Sequence, residues 1–519
     1  MRNLKVSQTV RARRGRKQRQ GDTNTSAGAP VWPGVKGGRF KPLAEAEVAA
    51  VEEAVLHLLE TLGLSQAIPS MVEHVVANGG HYTEDKRLIF PRDLVLKTIA
   101  EARRDIVLCG QDPAHDLDLS GARVHMSSGG GAPGVFDLDD GHYRDGSLKD
   151  LYDAARICDA MENIHHFSRS IVARDIEDNA LMDVNTAYAC LMGTSKHVSV
   201  SVTEPDTVQK LAALCYQLAG SEAAFRARPF LTVMVCHVVP PMRFAEEACE
   251  TLEAAILAGF PVQLISAGQA GATSPATIAG SLVQAVAETL AGLVFARLID
   301  PEVRAIFAPK PLVADLRTGS MCGGGGEQAI LMAAAAQMGR HYDLPTSSIA
   351  GITDAKTLDA QFGSEKCLAV TMAAHAGSNL ITQSCGMQAS LLGVSLEAYV
   401  VDNDMLGNIL RTLRGVEVTP ENIAADVIAT VCRGEGHYLG QAHTFERMKS
   451  DYFYPHIGDR RTPRDWESDG SNTVGDRARD VARQLIAEHF PTRLNEATDI
   501  ALRAAFDIKL PREVMGKST

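Results

Sequence analysis

The chain has 519 residues, 45% of them hydrophobic, 22% charged and 5% aromatic, with a mean hydropathy near zero. That balance excludes bulk disorder and suits a globular chain whose core is built mainly from Ala, Val, Leu and Ile. The ten cysteines show no CxxC or paired-ligand spacing and follow no secretory signal, which argues against a disulfide framework or a structural zinc site. No run approaches the roughly 18 apolar residues of a membrane span, so the expectation is a cytoplasmic protein with no membrane contact.

The formal charge of −12 is uneven, because residues 1–20 hold eight Lys or Arg and no acid, leaving −20 on the remainder. Such a block reads as a solvated, disordered arm in preference to a nucleic-acid contact, and the Gly, Pro, Ser and Thr of residues 21–40 read as a linker. Residues 41–120 are expected to form a helical extension, opened by LAEAEVAAVEEAVLHLLETLGL (43–64) with apolar residues at helical spacing and a glycine near its end.

A rhythm then sets in, in which a short β-rich run ends in small or polar residues and an Ala/Leu-rich helical segment follows. Eight runs are predicted, at 124–128, 166–172, 197–202, 231–238, 261–266, 304–315, 347–352 and 379–383. Helices are predicted between them, among others at 147–161, 205–218, 246–258 and 324–342. Strands alternating with helices imply parallel βαβ units, and eight units imply a (β/α)8 TIM barrel over residues 121–404. Residues 405–519 read as a C-terminal helical extension, with helices at 420–432 and 473–489. An open dinucleotide-binding sheet is the rival, and GGGAPG (129–134) does follow the first strand. It leads into the turn-rich VFDLDDGHYRDG and not a helix, so the phosphate-binding context is missing.

A barrel of this kind carries its chemistry where strands end and βα loops begin. The residues there are polar, and each has a structural alternative. Arg317 and Asp315 can pair with one another as readily as with a ligand. His237, in the apolar stretch VMVCHVVPP, suits a hydrogen-bonded core histidine. Glu204 before Pro205 suits a helix start, where the dipole favours a carboxylate. Cys322 and Cys385 suit small core hydrophobes. Four glycines in CGGGGE (Gly323, Gly324, Gly325 and Gly326) open a helix, and they fit either an anion nest or a close helix approach. No HExxH, facial triad, GxSxG elbow or P-loop appears, so hydrolysis by metal, serine or P-loop has no support and no metal site is expected.

Several segments resemble the trimethylamine methyltransferase family of corrinoid-dependent enzymes. They are GSLKDLYDAARICDAMENI (146–164), AGATSPATIAGSLVQAVAETLAGLVFARLI (270–299), VADLRTGSMCGGGGEQAILMAAAAQMGRHYDLP (313–345), GITDAKTLDAQFGSEK (351–366) and FYPHIGDRRTPRDWESDG (453–470). The resemblance spans roughly residues 40–515 and implies a TIM barrel. It also implies an oligomer and transfer of a methyl group from a small methylated amine to cobalt(I) of a corrinoid (cobalamin) carried on a separate protein, with no tightly bound cofactor of its own. Members with pyrrolysine act on trimethylamine; this chain has only the standard residues, which points to a quaternary amine such as glycine betaine. Another onium compound (proline betaine, carnitine, a sulfonium or trimethylamine itself) and a non-catalytic betaine-binding protein are the alternatives. A betaine site needs a cation partner, for which Glu204, Asp354, Tyr143 and Phe136 are candidates. It also needs an anion partner, for which Arg317, Arg169 and the Gly323 to Gly326 amides are candidates. Gln269, His237 and Gln383 are expected to orient the donor or face the corrin.

Overall fold

The structure is a computed structural model that describes residues 29–516 apart from 435, 492, 493 and 495; the basic arm at 1–20 lies outside the described residues. Eight parallel strands and eight helices alternate without interruption of the order. They are Arg123–Met126 (β1), Leu148–Ala160 (α1), Phe167–Ser168 (β2), Asn179–Gly193 (α2), Val198–Val200 (β3), Pro205–Ala219 (α3), Leu231–Val235 (β4) and Glu246–Leu257 (α4). Then come Val262–Ser266 (β5), Ile278–Ile299 (α5), Ala305–Pro309 (β6), Gly326–His341 (α6), Ser347–Ile349 (β7), Ala360–Ala376 (α7), Leu380–Thr382 (β8) and Leu396–Arg414 (α8). Every predicted run contains a strand, but most of the strands stop earlier than predicted.

The strands form a mixed α/β architecture. β2 to β6 lie side by side in chain order, and β7 pairs with β8, which pairs with β1. Two single parallel bridges, Ser127 with His166 and Phe307 with Thr346, join the two sheets at both ends. Residues of β5 and β6 are buried throughout, which explains why they read as continuous apolar runs. Helix starts obey local chemistry: Ser147 accepts from the Asp150 N–H while Asp150 reaches back to the Ser147 N–H, closing a capping box. Gly220 and Gly377 end α3 and α7 in the left-handed conformation.

α5 is long and apolar enough to cross a membrane, yet 78% of its most apolar window is buried inside the fold. Its Glu288 explains why it stays there, accepting from Ser266 Oγ at 2.5 Å and Met242 N at 2.7 Å. The helices Glu45–Thr61, Pro69–Ala77 and Arg92–Glu101 pack on the outside of α5. The next stretch forms a hairpin, Val107–Leu108 against Leu117–Asp118. Its Ile106, Leu108, Leu117 and Leu119 cluster with Ile306 and Leu380, apolar side chains worth about 1.5–3 kcal/mol each on burial. They stopper the amino-terminal ends of the strands. The C-terminal helix Val474–Glu488 lies on α8 and α1. Buried Arg156 clamps it there, donating to the carbonyls of Ile486 and His489 at 2.7 Å and stacking on Phe490.

The predicted helix at 420–432 is broken. Ala424 takes φ 51 between Pro420–Ile423 and Ala425–Arg433, a change of backbone sign that apolar periodicity does not reveal.

Candidate active site at the carboxyl ends of the strands

With the amino-terminal end stoppered, the opposite end is where the interior meets solvent. Below the mouth lies a polar layer. Ser127 donates to the Ser128 carbonyl at 2.9 Å, which leaves it to accept from His166 Nδ1 at 2.6 Å; His166 Nε2 then accepts from Ser199 Oγ at 2.9 Å. His166 stacks on His197, which donates to the Cys109 carbonyl at 2.7 Å and accepts from Thr232 at 2.8 Å. Burial disfavours charge on both rings and pushes His197 down to about 4. They are neutral structural histidines with both nitrogens satisfied.

Four residues stand one position past their strands and define the mouth: Arg169 after β2, Cys236 after β4, Lys310 after β6 and Gln383 after β8. Lys310 is buried, and its Nζ donates to Gln263 Oε1 at 2.7 Å and Thr382 Oγ1 at 2.9 Å. Both acceptors are neutral, so burial dominates and lowers the ammonium to about 7. Arg169 has its Nε buried with no hydrogen-bond partner; burial lowers its pKa, with the Asp183 carboxylate opposing the shift from a distance. Cys236 is solvent-exposed yet hemmed in by protein, as at the bottom of a recess. That confinement raises its thiol pKa, while Lys310 and Arg169 pull the other way. Met234, one turn of the pleat below on β4, is half-buried and lies 3.2 Å from Ser168 Oγ. Gln383 takes φ 58, and its amide oxygen accepts from Gly130 N at 3.0 Å. The glycine run 129–131 passes directly beneath these side chains: a Cβ on Gly131 would lie 2.8 Å from Arg169 Nη2.

The other predicted residues sit elsewhere or are already engaged. Asp354 fills the glycine nest itself, accepting from Gly323 N at 2.8 Å, Gly324 N at 3.4 Å, Cys322 Sγ at 3.2 Å and Ser390 Oγ at 2.5 Å. Burial alone would raise its pKa, but the bonds from Ser390 and Gly323 outweigh it and lower the carboxyl below 3.8. Neither Asp354 nor the Gly323 and Gly324 amides are therefore free for a ligand, while Gly325 and Gly326 only open α6. The Asp354–Ser390 bond also locks the left-handed turn Ala389, Ser390 and Leu391 (φ 48, 54 and 74) against the loop after β7.

Arg317 is 88% exposed and forks onto Asp315 at 2.8 and 3.0 Å, the local pair that the sequence permits. His237 is a core histidine whose Nε2 donates to the Glu288 carbonyl at 2.9 Å, with its ring seated on Gly292. Glu204 is exposed and precedes α3 without capping it. Gln269 lies in the short strand Gln269–Ala270, with its carbonyl bonded to its own turn and its Nε2 buried and unpartnered. Tyr143 and Phe136 form a tilted pair 5.4 Å apart on the hairpin after β1, and the Tyr143 hydroxyl donates to the Leu392 carbonyl at 2.8 Å. Of the predicted set, Arg169 and Gln383 meet at the recess. Lys310, Cys236 and Met234 lie outside the predicted set, because the predicted strands extend past the first two while the observed ones stop at Pro309 and Val235.

Among the described residues no group of His, Cys, Asp or Glu could hold a metal ion. Surface clefts of about 550 and 530 Å³ lie at Lys149, Asp175 and Pro511 and at Arg411, Arg447 and Tyr452. Neither cleft is lined by a residue of the recess.

Fold and site define a parallel α/β protein with a candidate site among the polar side chains at the carboxyl ends of its strands. The family model described as trimethylamine methyltransferase matches residues 11–513, and the chain belongs to that family. It is similar to glycine betaine methyltransferase of Desulfitobacterium hafniense strain Y51, 27% identical over 467 residues that cover 90% of this chain and 96% of the relative. Trimethylamine methyltransferase MttB of D. hafniense strain DSM 10664 / DCB-2 is 28% identical over 472 residues, 91% of this chain and 94% of its own. The solved monomethylamine methyltransferase MtmB of Methanosarcina barkeri is 13% identical and aligns over 84% of this chain and 91% of that one, with a TM-score of 0.48.

Proposed function

We propose that this methyltransferase moves a methyl group from a quaternary amine, such as glycine betaine, to a corrinoid carried on a separate protein. The carrying observation is similarity over 90% of this chain and 96% of a glycine betaine methyltransferase. The trimethylamine enzyme is equally similar, so identity does not choose the donor. The choice rests on a sequence made only of standard residues and on cationic side chains at the mouth. The eight strands are read as a closed (β/α)8 barrel, supported by the two bridges that join the sheets. The helical additions at 41–120 and 405–519 flank it, and the arm and linker of 1–40 precede them. A reducing, cytoplasmic setting fits the ten unpaired cysteines, and we assign the protein a homo-oligomeric state.

The corrinoid, a co-substrate in this reading, supplies a cobalt(I) nucleophile as the methyl carbon's bond to nitrogen breaks and its electron pair stays on nitrogen. The departing tertiary amine is neutral, so no general acid is needed, and none of the recess residues has to move a proton to the leaving group. What the chain contributes is orientation and exclusion of water. Arg169 and Gln383 hold the polar end of the donor over Gly130 and Gly131, with Met234 and Cys236 as the floor. An open mouth suits approach of a flat macrocycle. The test is anaerobic incubation with reduced corrinoid protein and a panel of methylated donors, followed by the cobalt absorbance. Methylation with glycine betaine is expected; no methylation from any quaternary amine would sink the reading.

A further inference from the structure

We propose that Lys310 and Arg169 form a subsite for a carboxylate on the methyl donor, and that Lys310 takes up a proton from solvent as that carboxylate enters. The proposal rests on the methyl-transfer reading and narrows its substrate to a zwitterion, a quaternary ammonium bearing a carboxylate.

The observations are buried donors without acceptors, with the Asp183 carboxylate acting on Arg169 only from beyond hydrogen-bond distance. Arg169 Nε is buried without an acceptor, and Gln263 Nε2, on the side chain that holds Lys310, is buried without one as well. Lys310 Nζ uses two of its three N–H groups, both on neutral oxygens. Neither cation forms an ion pair with a described carboxylate. Leaving such groups unpaired in the interior is costly, and an incoming anion removes that cost. Cys236, solvent-exposed, lies within electrostatic reach of both cations, so an anion seated beside its thiol is attracted by each. The other anion-binding candidate, the nest at Gly323 and Gly324, is filled by Asp354, which leaves the side-chain cations to do this work.

Proton uptake follows from where Lys310 sits. The groups that act on it or bond it are Cys236 from β4, neutral His166 from β2, and the uncharged Gln263 and Thr382, with Ser347 donating to the same Gln263 oxygen. Burial lowers its ammonium to about 7, and a carboxylate alongside raises that value. Donor binding near pH 7 therefore draws a proton onto Lys310.

The test is titration calorimetry of the full chain with glycine betaine and with choline, which keeps the trimethylammonium and replaces the carboxylate by a hydroxymethyl group. Each is run at pH 7 in phosphate and in Tris, so that the buffer dependence of the heat counts protons. Glycine betaine is expected to bind at least about tenfold more tightly than choline, with proton uptake that choline lacks. Lys310→Met should lose that preference and the uptake. Lys310→Arg, always charged, should keep the affinity and lose only the uptake, and it decides the matter should the methionine variant fail to fold. Arg169→Gln should lose affinity and keep the uptake. Equal affinities for the two ligands, or betaine binding with no proton uptake by the unsubstituted chain, would overturn the subsite. Methyl transfer from choline or trimethylamine but not from betaine would overturn it too, while leaving methyl transfer intact. Absence of transfer from every methylated donor would strike the underlying reading instead.

Discussion

Two glycine runs, 129–131 after β1 and 323–326 leading into α6, look alike in the sequence and are built for different purposes. In the first, all three glycines take positive φ (139, 119 and 62), and a Cβ at Gly130 or Gly131 would strike Met387 or Arg169. These glycines let side chains from other strands approach the backbone closely, among them Arg169, whose Nε is buried without a partner. In the second, the Gly323 and Gly324 amides point at a carboxylate the chain supplies itself. An exposed run of N–H groups marks an anion site only when no neighbouring Asp gets there first. In the proposed reading charge recognition falls to side chains at one run, and loop closure falls to the backbone at the other.

Substituting glycines in both runs breaks or sharpens the contrast, and Gly130→Ala carries the largest expected effect. Its φ of 119 lies where L side chains are strained, and its Cβ would sit 2.1 Å from Met387 Cε. Met387 can yield at its flexible end, so most of the cost is conformational. A loss of about 2–3 kcal/mol is expected in urea denaturation. The KM for the methyl donor should also rise, because the Gly130 N–H that orients Gln383 moves. Stability and KM both equal to those of the parent protein would show that the first run has no special backbone requirement.

Asp354→Ala probes the second run and should cost about 1–2 kcal/mol, since the Gly323 and Gly324 amides and the Ser390 hydroxyl lose a half-exposed partner. Cys322 gives an independent readout. Burial first and the Asp354 carboxylate second hold its thiol up at about 11, so the variant's thiol should titrate lower, as followed by thiolate absorbance against pH. Acid offers a further check. With the folded carboxyl below its ordinary 3.8, its stabilisation is present above that pH and is lost as pH falls through the lower folded value. Parent and variant should thus converge in stability in strong acid; a gap that persisted there would mean that Asp354 acts through packing and not through charge.

How legible the site was in the sequence turns on strand ends. The alternation of eight runs and eight helices was readable because each helix carries enough length and periodicity to be recognised. The end of each strand was not, because β-rich residues continue past the last ladder bond. The run predicted to end at 238 stops at Val235, so the first position past the strand is Cys236, and the side chain of His237 turns away into α5. The run predicted over 304–315 swallowed Lys310, although the strand stops at Pro309. Gln383 was found because its strand ended where predicted, give or take one residue. A lysine between two prolines in FAPKPL was the available signal: proline ends ladder pairing, and a lone lysine in an apolar run needs a reason. The partnership of Asp354 with glycines 30 and 31 residues away is tertiary, and no local pattern carries it.

Gly326→Ala is the smallest effect and the strictest control on the comparison. Gly326 is the first residue of α6, lacks positive φ, and a Cβ there would meet nothing within 4 Å. Alanine loses less backbone entropy on folding and forms helix more readily. Stability should therefore change by no more than about 0.5 kcal/mol, with any change favourable, and donor KM should stay at the parent value. Glycine would then be dispensable at 326, the last of its run, and required at 130, the middle of the other. A KM rise in Gly326→Ala comparable with that in Gly130→Ala would mean that the donor reaches the start of α6, and the two runs would have to be treated as walls of one site.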